Sequence, residues 1–283
     1  MHGKEIVSDE QTPTLPYPSK RLGQHFLHDQ RVIDRIVKHL GPRPAETLIE
    51  IGPGRGALTA RLLKSAGRVV AIEFDRNLVP VLEEKFGANK RFKLVQGDAL
   101  LTDFCGEIFP TPTARVVANL PYNISTAILQ RLFEQRHCLT EMVLMLQREV
   151  VDRITAAPGS RERGYLSVLV EAHCEAERLF DVAPGSFRPS PKVWSSVVRL
   201  NFKHATPHDE AQKKLLWQIV SAGFAQRRKT ILNNLRQAPP QLGDRIKQHG
   251  GASIVLCQAG VDLKRRAETL TLEEWTRIAT TIE

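Results

Sequence analysis

The quartet Asn119-Leu120-Pro121-Tyr122 brings a carboxamide, a proline-fixed turn and an aromatic ring together within four positions. That combination suits chemistry at the exocyclic amine of adenine, a poor nucleophile because its lone pair is delocalised into the ring. The Asn119 side-chain oxygen and the Pro121 main-chain carbonyl can accept both amine hydrogens, favour the pyramidal form and aim the lone pair at an electrophilic methyl carbon. Catalysis of this kind works by positioning and electrostatics. No strong base is required, since methylation makes the amine acidic enough to lose its proton. Tyr122 offers a ring on which the base can stack, a contact worth about 1–3 kcal/mol in single-strand binders.

A methyl donor needs its own pocket, and three further segments describe one. Glu50-Ile51-Gly52-Pro53-Gly54-Arg55-Gly56 is a glycine-rich turn that lets the backbone bend sharply and approach a ligand closely. Its glycines fall at every second position, a departure from Gly-x-Gly-x-x-Gly that argues against NAD. Glu73, 21 residues after Gly52, is placed to accept hydrogen bonds from a ribose diol, and Asp98 in Gly97-Asp98-Ala99 to accept from the amino group of an adenine ring. Taken singly these are an ordinary turn, a solvated acid and a helix cap. Together they describe a site for S-adenosylmethionine.

These residues must be held by regular elements, and the pattern supplies them. Residues 47–51, 68–72, 92–96, 115–118 and 141–147 read as short β-branched or apolar strands. Between them the period changes to that of a helix. Val32, Ile33, Ile36, Val37 and Leu40 form one apolar face, with Asp29 as N-cap and Gly41-Pro42 as the stop. Leu58, Leu62 and Leu63 form a second face, Leu78, Leu82 and Phe86 a third, and Ile128, Leu129, Leu132 and Phe133 a fourth. Repeated alternation of strand and helix predicts an α/β fold, a parallel sheet with helices on both faces and its ligand site at the carboxyl ends of the strands. The motifs above all fall there.

After a polar, proline-containing stretch at 204–209 the pattern is helical. Leu215, Leu216, Ile219, Val220 and Phe224 share a face, Ile231, Leu232 and Leu235 follow, and Thr271-Leu272-Glu273-Glu274 is a capping box opening the last helix. The expected organisation is an arm over residues 1–18, a catalytic domain over 19–203 and a small helical domain over 209–283. A length of 283 residues suits about two domains.

Charge and composition narrow the partner. Forty Lys and Arg against 31 Asp and Glu give a net charge of +9, which favours a polyanion. Residues 203–283 hold 13 basic and 8 acidic side chains, so more than half of the excess falls in the last 81 positions. Arg227, Arg228 and Lys229 are its densest cluster. The longest apolar run, 142–146, is far short of a membrane span. The first twenty residues carry acids and the prolines Pro13, Pro16 and Pro18 rather than the apolar core of a secretory signal. The four cysteines, 33, 36 and 83 residues apart, lack the close pairing of zinc or redox motifs; the expectation is reduced, buried thiols in a cytosolic protein, with no metal site.

Read together, 20–27, 50–54, Glu73, Asp98, 119–126, Phe187-x-Pro189-x-Pro191-Lys192-Val193 and 226–230 resemble the bacterial small-subunit ribosomal RNA adenine dimethyltransferases, from about Ser19 to the C-terminus. The resemblance implies a Rossmann-like class I S-adenosylmethionine-dependent methyltransferase sheet with a small C-terminal helical domain. It implies a cytoplasmic, monomeric enzyme that dimethylates two adjacent adenosines near the 3′ end of that RNA, within an immature 30S particle. The cofactor pocket would use His25, Leu27, Gly52, Glu73, Asp98 and Asn119. Many members carry Asn where this chain has His25, so its main chain is the alternative contact. Asn119, Pro121, Tyr122 and Phe187 would form the catalytic set, Phe187 as a second wall for the target base or, equally, as a core anchor. Arg227, Arg228 and Lys229 would contact RNA phosphates. Two other readings stay open: a large-subunit RNA methyltransferase, and an assembly factor for which methylation is secondary.

Overall fold

The computed structural model describes residues 17–19, 22–121, 124–203 and 210–283. In chain order the elements are β1 (Phe26–Leu27), α1 (Gln30–Leu40), β2 (Thr47–Ile51), α2 (Thr59–Leu62), β3 (Arg68–Glu73), α3 (Val79–Phe86), β4 (Phe92–Gln96) and α4 (Phe104–Ile108). They continue with β5 (Ala114–Asn119), α5 (Ser125–Glu134), β6 (Leu139–Gln147), α6 (Arg148–Ile154), α7 (Tyr165–His173), β7 (Cys174–Val182), β8 (Phe187–Arg188) and β9 (Ser195–Phe202). Five helices close the chain: α8 (Glu210–Gly223), α9 (Ile231–Arg236), α10 (Pro240–Gln248), α11 (Ala252–Gln258) and α12 (Leu272–Thr281).

Seven strands form one sheet in the order β4-β3-β2-β5-β6-β9-β7, and β1 pairs with β8 in a separate two-stranded ribbon. Successive side chains point to opposite faces, and in the central strands β2, β3 and β5 both faces are covered by helices. Ile49, Ile51, Val116 and Ala118 face Phe104, Ile108, Ile128 and Leu132 of α4 and α5, while Leu48 and Val117 face Ile33, Ile36 and Leu62 of α1 and α2. The five expected strands are all present. The expected parallel sheet requires one correction: β9 runs antiparallel to both β6 and β7. The physical reason is connection length, since only twelve residues separate β7 from β9, too few for the helical crossover a parallel return needs.

The local signals behave as their chemistry dictates. Asp29 caps α1 by accepting from the Arg31 amide at 2.9 Å, and Gly41, at φ 57°, closes it with a left-handed turn. Thr271 and Glu274 form the reciprocal capping box of α12. The cysteine expectation is overturned for two of the four. Cys105 and Cys138 are joined in a disulfide, because the crossover from β4 to β6 returns the chain to the same place 33 residues later. Of the free pair, Cys174 is buried as expected and Cys257 is exposed.

The expected linker at 204–209, most of the arm, Tyr122 and the residues Lys20 and Arg21 lie outside the described residues. Helices α8 to α12 pack an apolar cluster around Trp275, Ile219 and Leu256, to which Val168 and Tyr165 of α7 also belong. Arg163, 1% exposed, ties that cluster to α7 and the segment after α6: its guanidinium donates to the Ala156 carbonyl (3.1 Å), to Glu171 Oε2 (2.6 Å) and to the Leu270 carbonyl (3.1 Å). Removing it would strand a carboxylate and two carbonyls. Arg163→Ala is therefore expected to cost about 3 kcal/mol, read as a lower urea midpoint, with Arg163→Lys recovering less than half because an ammonium cannot fork across three acceptors.

Candidate active site

The carboxyl ends of β2, β3, β4 and β5 open onto one cavity of about 280 Å³. Three glycines of the first strand end, Gly52, Gly54 and Gly56, have φ of 68°, 60° and 79°, a region that favours glycine. Two are further constrained by neighbours. A Cβ on Gly54 would sit 3.0 Å from the Phe26 ring, and one on Gly56 would overlap Phe86 at 2.4 Å. Gly52 differs, since a Cβ there would meet nothing nearer than the Asn119 carbonyl oxygen at 4.0 Å. It would project into the cavity, so the glycine keeps that space open.

Glu73, at the end of β3, is fixed by two backbone donors: the Gly54 amide at 3.1 Å on Oε2 and the Asp75 amide at 2.8 Å on Oε1. A carboxylate has about four acceptor positions, so a diol can still be bound. Asp75 in turn accepts from the Gln24 side chain at 2.7 Å, which straps the N-terminal segment across the mouth of the cavity. Asp98 accepts from the Leu100 amide at 2.9 Å and lines the cavity from the end of β4.

Asn119 ends β5. Its Nδ2 donates to the His25 carbonyl at 3.1 Å, and only the nitrogen of a carboxamide can do so. The orientation of the group is thereby set, with Oδ1 on the opposite side. His25 acts here through its main chain, while its ring nitrogen Nδ1 lies 2.7 Å from the Pro189 carbonyl. The same segment is registered by the β1–β8 ribbon, Phe26 opposite Arg188 and Leu27 opposite Phe187. Among the described residues the Pro121 carbonyl accepts from the Ile124 amide at 3.3 Å, and a carbonyl has two lone pairs.

Of the residues read from sequence, His25, Gly52, Glu73, Asp98, Asn119 and Pro121 all line the cavity. Leu27 and Phe187 do not. Phe187 is 2% exposed in the core beside Leu48 and Val117, so its ring has no open face for a base; the wall expected of it is not there. Its position at the end of a core-facing ribbon explains why. Arg227, Arg228 and Lys229 are exposed, away from the cavity, in the loop between α8 and α9 rather than on a helix. Sequence reading missed Gln24 and Phe74. Phe74 is 53% exposed and lines the cavity, and its signal was an aromatic directly after a strand-end acid.

Glycine backbone, two strand-end acids and a carboxamide of fixed orientation fit a nucleoside-bearing methyl donor. Residues 18–279 match the family described as ribosomal RNA adenine dimethylase. The chain is 44% identical over 260 residues to the ribosomal RNA small subunit methyltransferase A of Hahella chejuensis, covering 92% of this chain and 91% of that one. The protein of the same name from Pseudomonas aeruginosa is 48% identical over 217 residues, covering 77% and 81%. Among solved structures, the 23S rRNA methyltransferase ErmE superposes with a TM-score of 0.67 at 26% identity, covering 91% and 99%. A dimethyladenosine transferase from Plasmodium falciparum shares the fold, with a TM-score of 0.75 at 22% identity over 90% and 96%.

Behind Glu73 lies a second acid. Glu50 is buried and accepts from the Thr59 hydroxyl at 2.7 Å; burial pushes its pKa from 4.5 up to about 7, against that hydrogen bond and with help from the negative charge of Glu73. Burial raises Glu73 as well. A raised acid holds more protons folded than unfolded between its two pKa values, so stability is full below about 4.5 and falls as pH rises through about 7. Glu50→Gln cannot ionise. From about pH 5 to about pH 8 it is expected to gain up to about 3 kcal/mol relative to wild type, measured by denaturant unfolding at stepped pH.

Proposed function

Because the chain belongs to the ribosomal RNA adenine dimethylase family, and so is an S-adenosylmethionine-dependent rRNA adenine dimethyltransferase, we propose that it places two methyl groups on each of two adjacent adenosines near the 3′ end of small-subunit RNA. It acts as a cytoplasmic monomer on an immature small subunit. The observation that carries this reading is the convergence of four strand ends on one cavity, with Asn119 held by the His25 carbonyl. Identity of 44% and 48% to small-subunit enzymes, against 26% to a 23S enzyme, supports the small subunit over the large. Among the described residues no helix is long and apolar enough to cross a membrane.

On this reading each residue takes a role suited to its position. S-adenosylmethionine, when bound, supplies an electrophilic methyl on a sulfonium. Glu73 takes the ribose hydroxyls, Asp98 the adenine amino group, and Gly52 leaves room for the ligand that a side chain would fill. On the target base, Asn119 Oδ1 and the second lone pair of the Pro121 carbonyl accept the two amine hydrogens, and Tyr122 stacks on the ring. Leu27 and Phe187 act at one remove, by holding the ribbon whose His25 carbonyl orients Asn119. Arg227, Arg228 and Lys229 grip phosphates from the α8–α9 loop, as duplex RNA is recognised mainly by shape and backbone.

Incubation with immature small subunits and radiolabelled S-adenosylmethionine should yield dimethyladenosine, and large subunits should stay unlabelled; the reverse would sink the reading. Asn119→Ala is expected to lower kcat by about 100-fold or more while subunit binding stays within about twofold. Parallel loss of both would contradict the assigned division of labour. Replacing Arg227, Arg228 and Lys229 together by alanine should weaken subunit binding and reduce the slope of log K against log salt by about 2–3, with cofactor affinity unchanged.

A further inference from the structure

Away from the cavity, Cys105, His137 and Cys138 bring two sulfurs and an imidazole nitrogen together, with donor atoms all within 4.8 Å of one another. Cys105 lies in the first turn of α4; His137 and Cys138 lie in the short 3-10 turn that leads into β6. None of the three lines the catalytic cavity. Although His137 is exposed, its Nε2 is turned toward protein and sits 3.1 Å from Cys105 Sγ.

The two cysteines hang on one braced frame. Gln135 accepts from the Phe104 amide at 2.7 Å and donates to the Thr102 carbonyl at 2.9 Å, so it locks the start of α4 to the turn that carries His137 and Cys138. Its own carbonyl lies 3.3 Å from Cys138 Sγ. These bonds do not depend on the sulfur–sulfur link. Reduction by a dithiol reagent would transfer two electrons and two protons, leaving Cys105 and Cys138 as thiols and the reagent as a cyclic disulfide, with the three donors still side by side.

We propose that in this thiol state Cys105, Cys138 and His137 bind one zinc ion, the fourth tetrahedral position facing solvent. Two thiolates and a neutral imidazole are the donor set zinc accepts, and two thiolates neutralise a dication exactly in charge. Binding displaces the two thiol protons to water. No oxygen donor belongs to the trio, so calcium and magnesium are excluded by ligand type. Cys138 is buried, Cys105 half-buried and His137 exposed, which gives an ion a way in from the surface and a dry inner side once bound. The ion would clip α4 to the entrance of β6, as the disulfide does in the oxidised chain; the two states exclude each other. The inference stands apart from the catalytic reading.

The test uses the full-length protein, reduced and freed of reductant without air, and titrated with Co2+ as a spectroscopic probe. One equivalent of Co2+ per chain, with a thiolate-to-cobalt charge-transfer band and the visible bands of a tetrahedral ion, is expected, and one equivalent of Zn2+ should bleach both. Cys105→Ser should remove the charge-transfer band or halve it, and His137→Ala should keep a thiolate band but weaken affinity by at least about tenfold. Cys257→Ser, which alters the exposed free thiol, should change nothing. Absence of the band in the reduced wild type, verified to carry four free thiols, would overturn the proposal, whatever the variants do. So would a band that survives Cys105→Ser undiminished or disappears in Cys257→Ser.

Discussion

Strand β2 lies between β3 and β5, and the crossovers on its two sides pack against opposite faces of the sheet: α1 and α2 with Leu48 and Val69, α4 and α5 with Ile49 and Val116. Helices that diverge in this way cannot cover the carboxyl edge between β2 and β5, and a crevice is left where the chain changes side. The candidate active site lies in that gap. Gly52 ends one of its banks and Asn119 the other, with a Cβ position and a carbonyl oxygen 4.0 Å apart. The sheet sets their separation through the register of β2 against β5, so it is as rigid as the core beneath it.

The gap would be open above without the residues that precede α1. Segment 22–28 crosses the cavity and is held at both ends, by Gln24 to Asp75 on the β3 side and by pairing of β1 with β8 on the β5 side. Between these anchors the His25 carbonyl reaches Asn119. One strap therefore crosses the cavity and fixes the orientation of the Asn119 carboxamide. The identity of residue 25 does not decide this contact, because it comes from the main chain and any residue supplies a carbonyl.

Which parts were legible in the sequence follows from how local their causes are. The five strands, the cap at Asp29, the box at Thr271 and the strand-end residues Gly52, Glu73, Asp98 and Asn119 depend on neighbours within a few positions or on alternation of strand and helix, and each lies where the pattern put it. Phe187 depends on a partner 160 residues away, Leu27, and its ring turns into the core; nothing near it in sequence distinguishes an anchor from an exposed wall. The direction of β9 follows from a short return out of β7, and the Cys105–Cys138 pair from two parallel crossovers. Both are facts of topology. Spacing along the chain contains them only after the topology is known.

Charge is divided in a way that suits two ligands of opposite sign. The chain carries +9, yet the carboxylates nearest the cavity, Glu50, Glu73, Asp75 and Asp98, all belong to the carboxyl edge of the sheet. Burial makes ionising Glu50 and Glu73 unfavourable, and a like charge adds to the cost at each, from Glu73 at Glu50 and from Asp75 at Glu73. A cationic sulfonium ligand relieves that cost, whereas a polyphosphate backbone would add to it. On the proposed reading the same acids would repel a phosphate backbone, while Arg227, Arg228 and Lys229, exposed in the α8–α9 loop, would attract it. A single base, carrying no charge of its own, would meet no such penalty. On the proposed reading, the placement of acids at the carboxyl edge and of basic residues in the α8–α9 loop would favour entry of a neutral nucleobase over its phosphates.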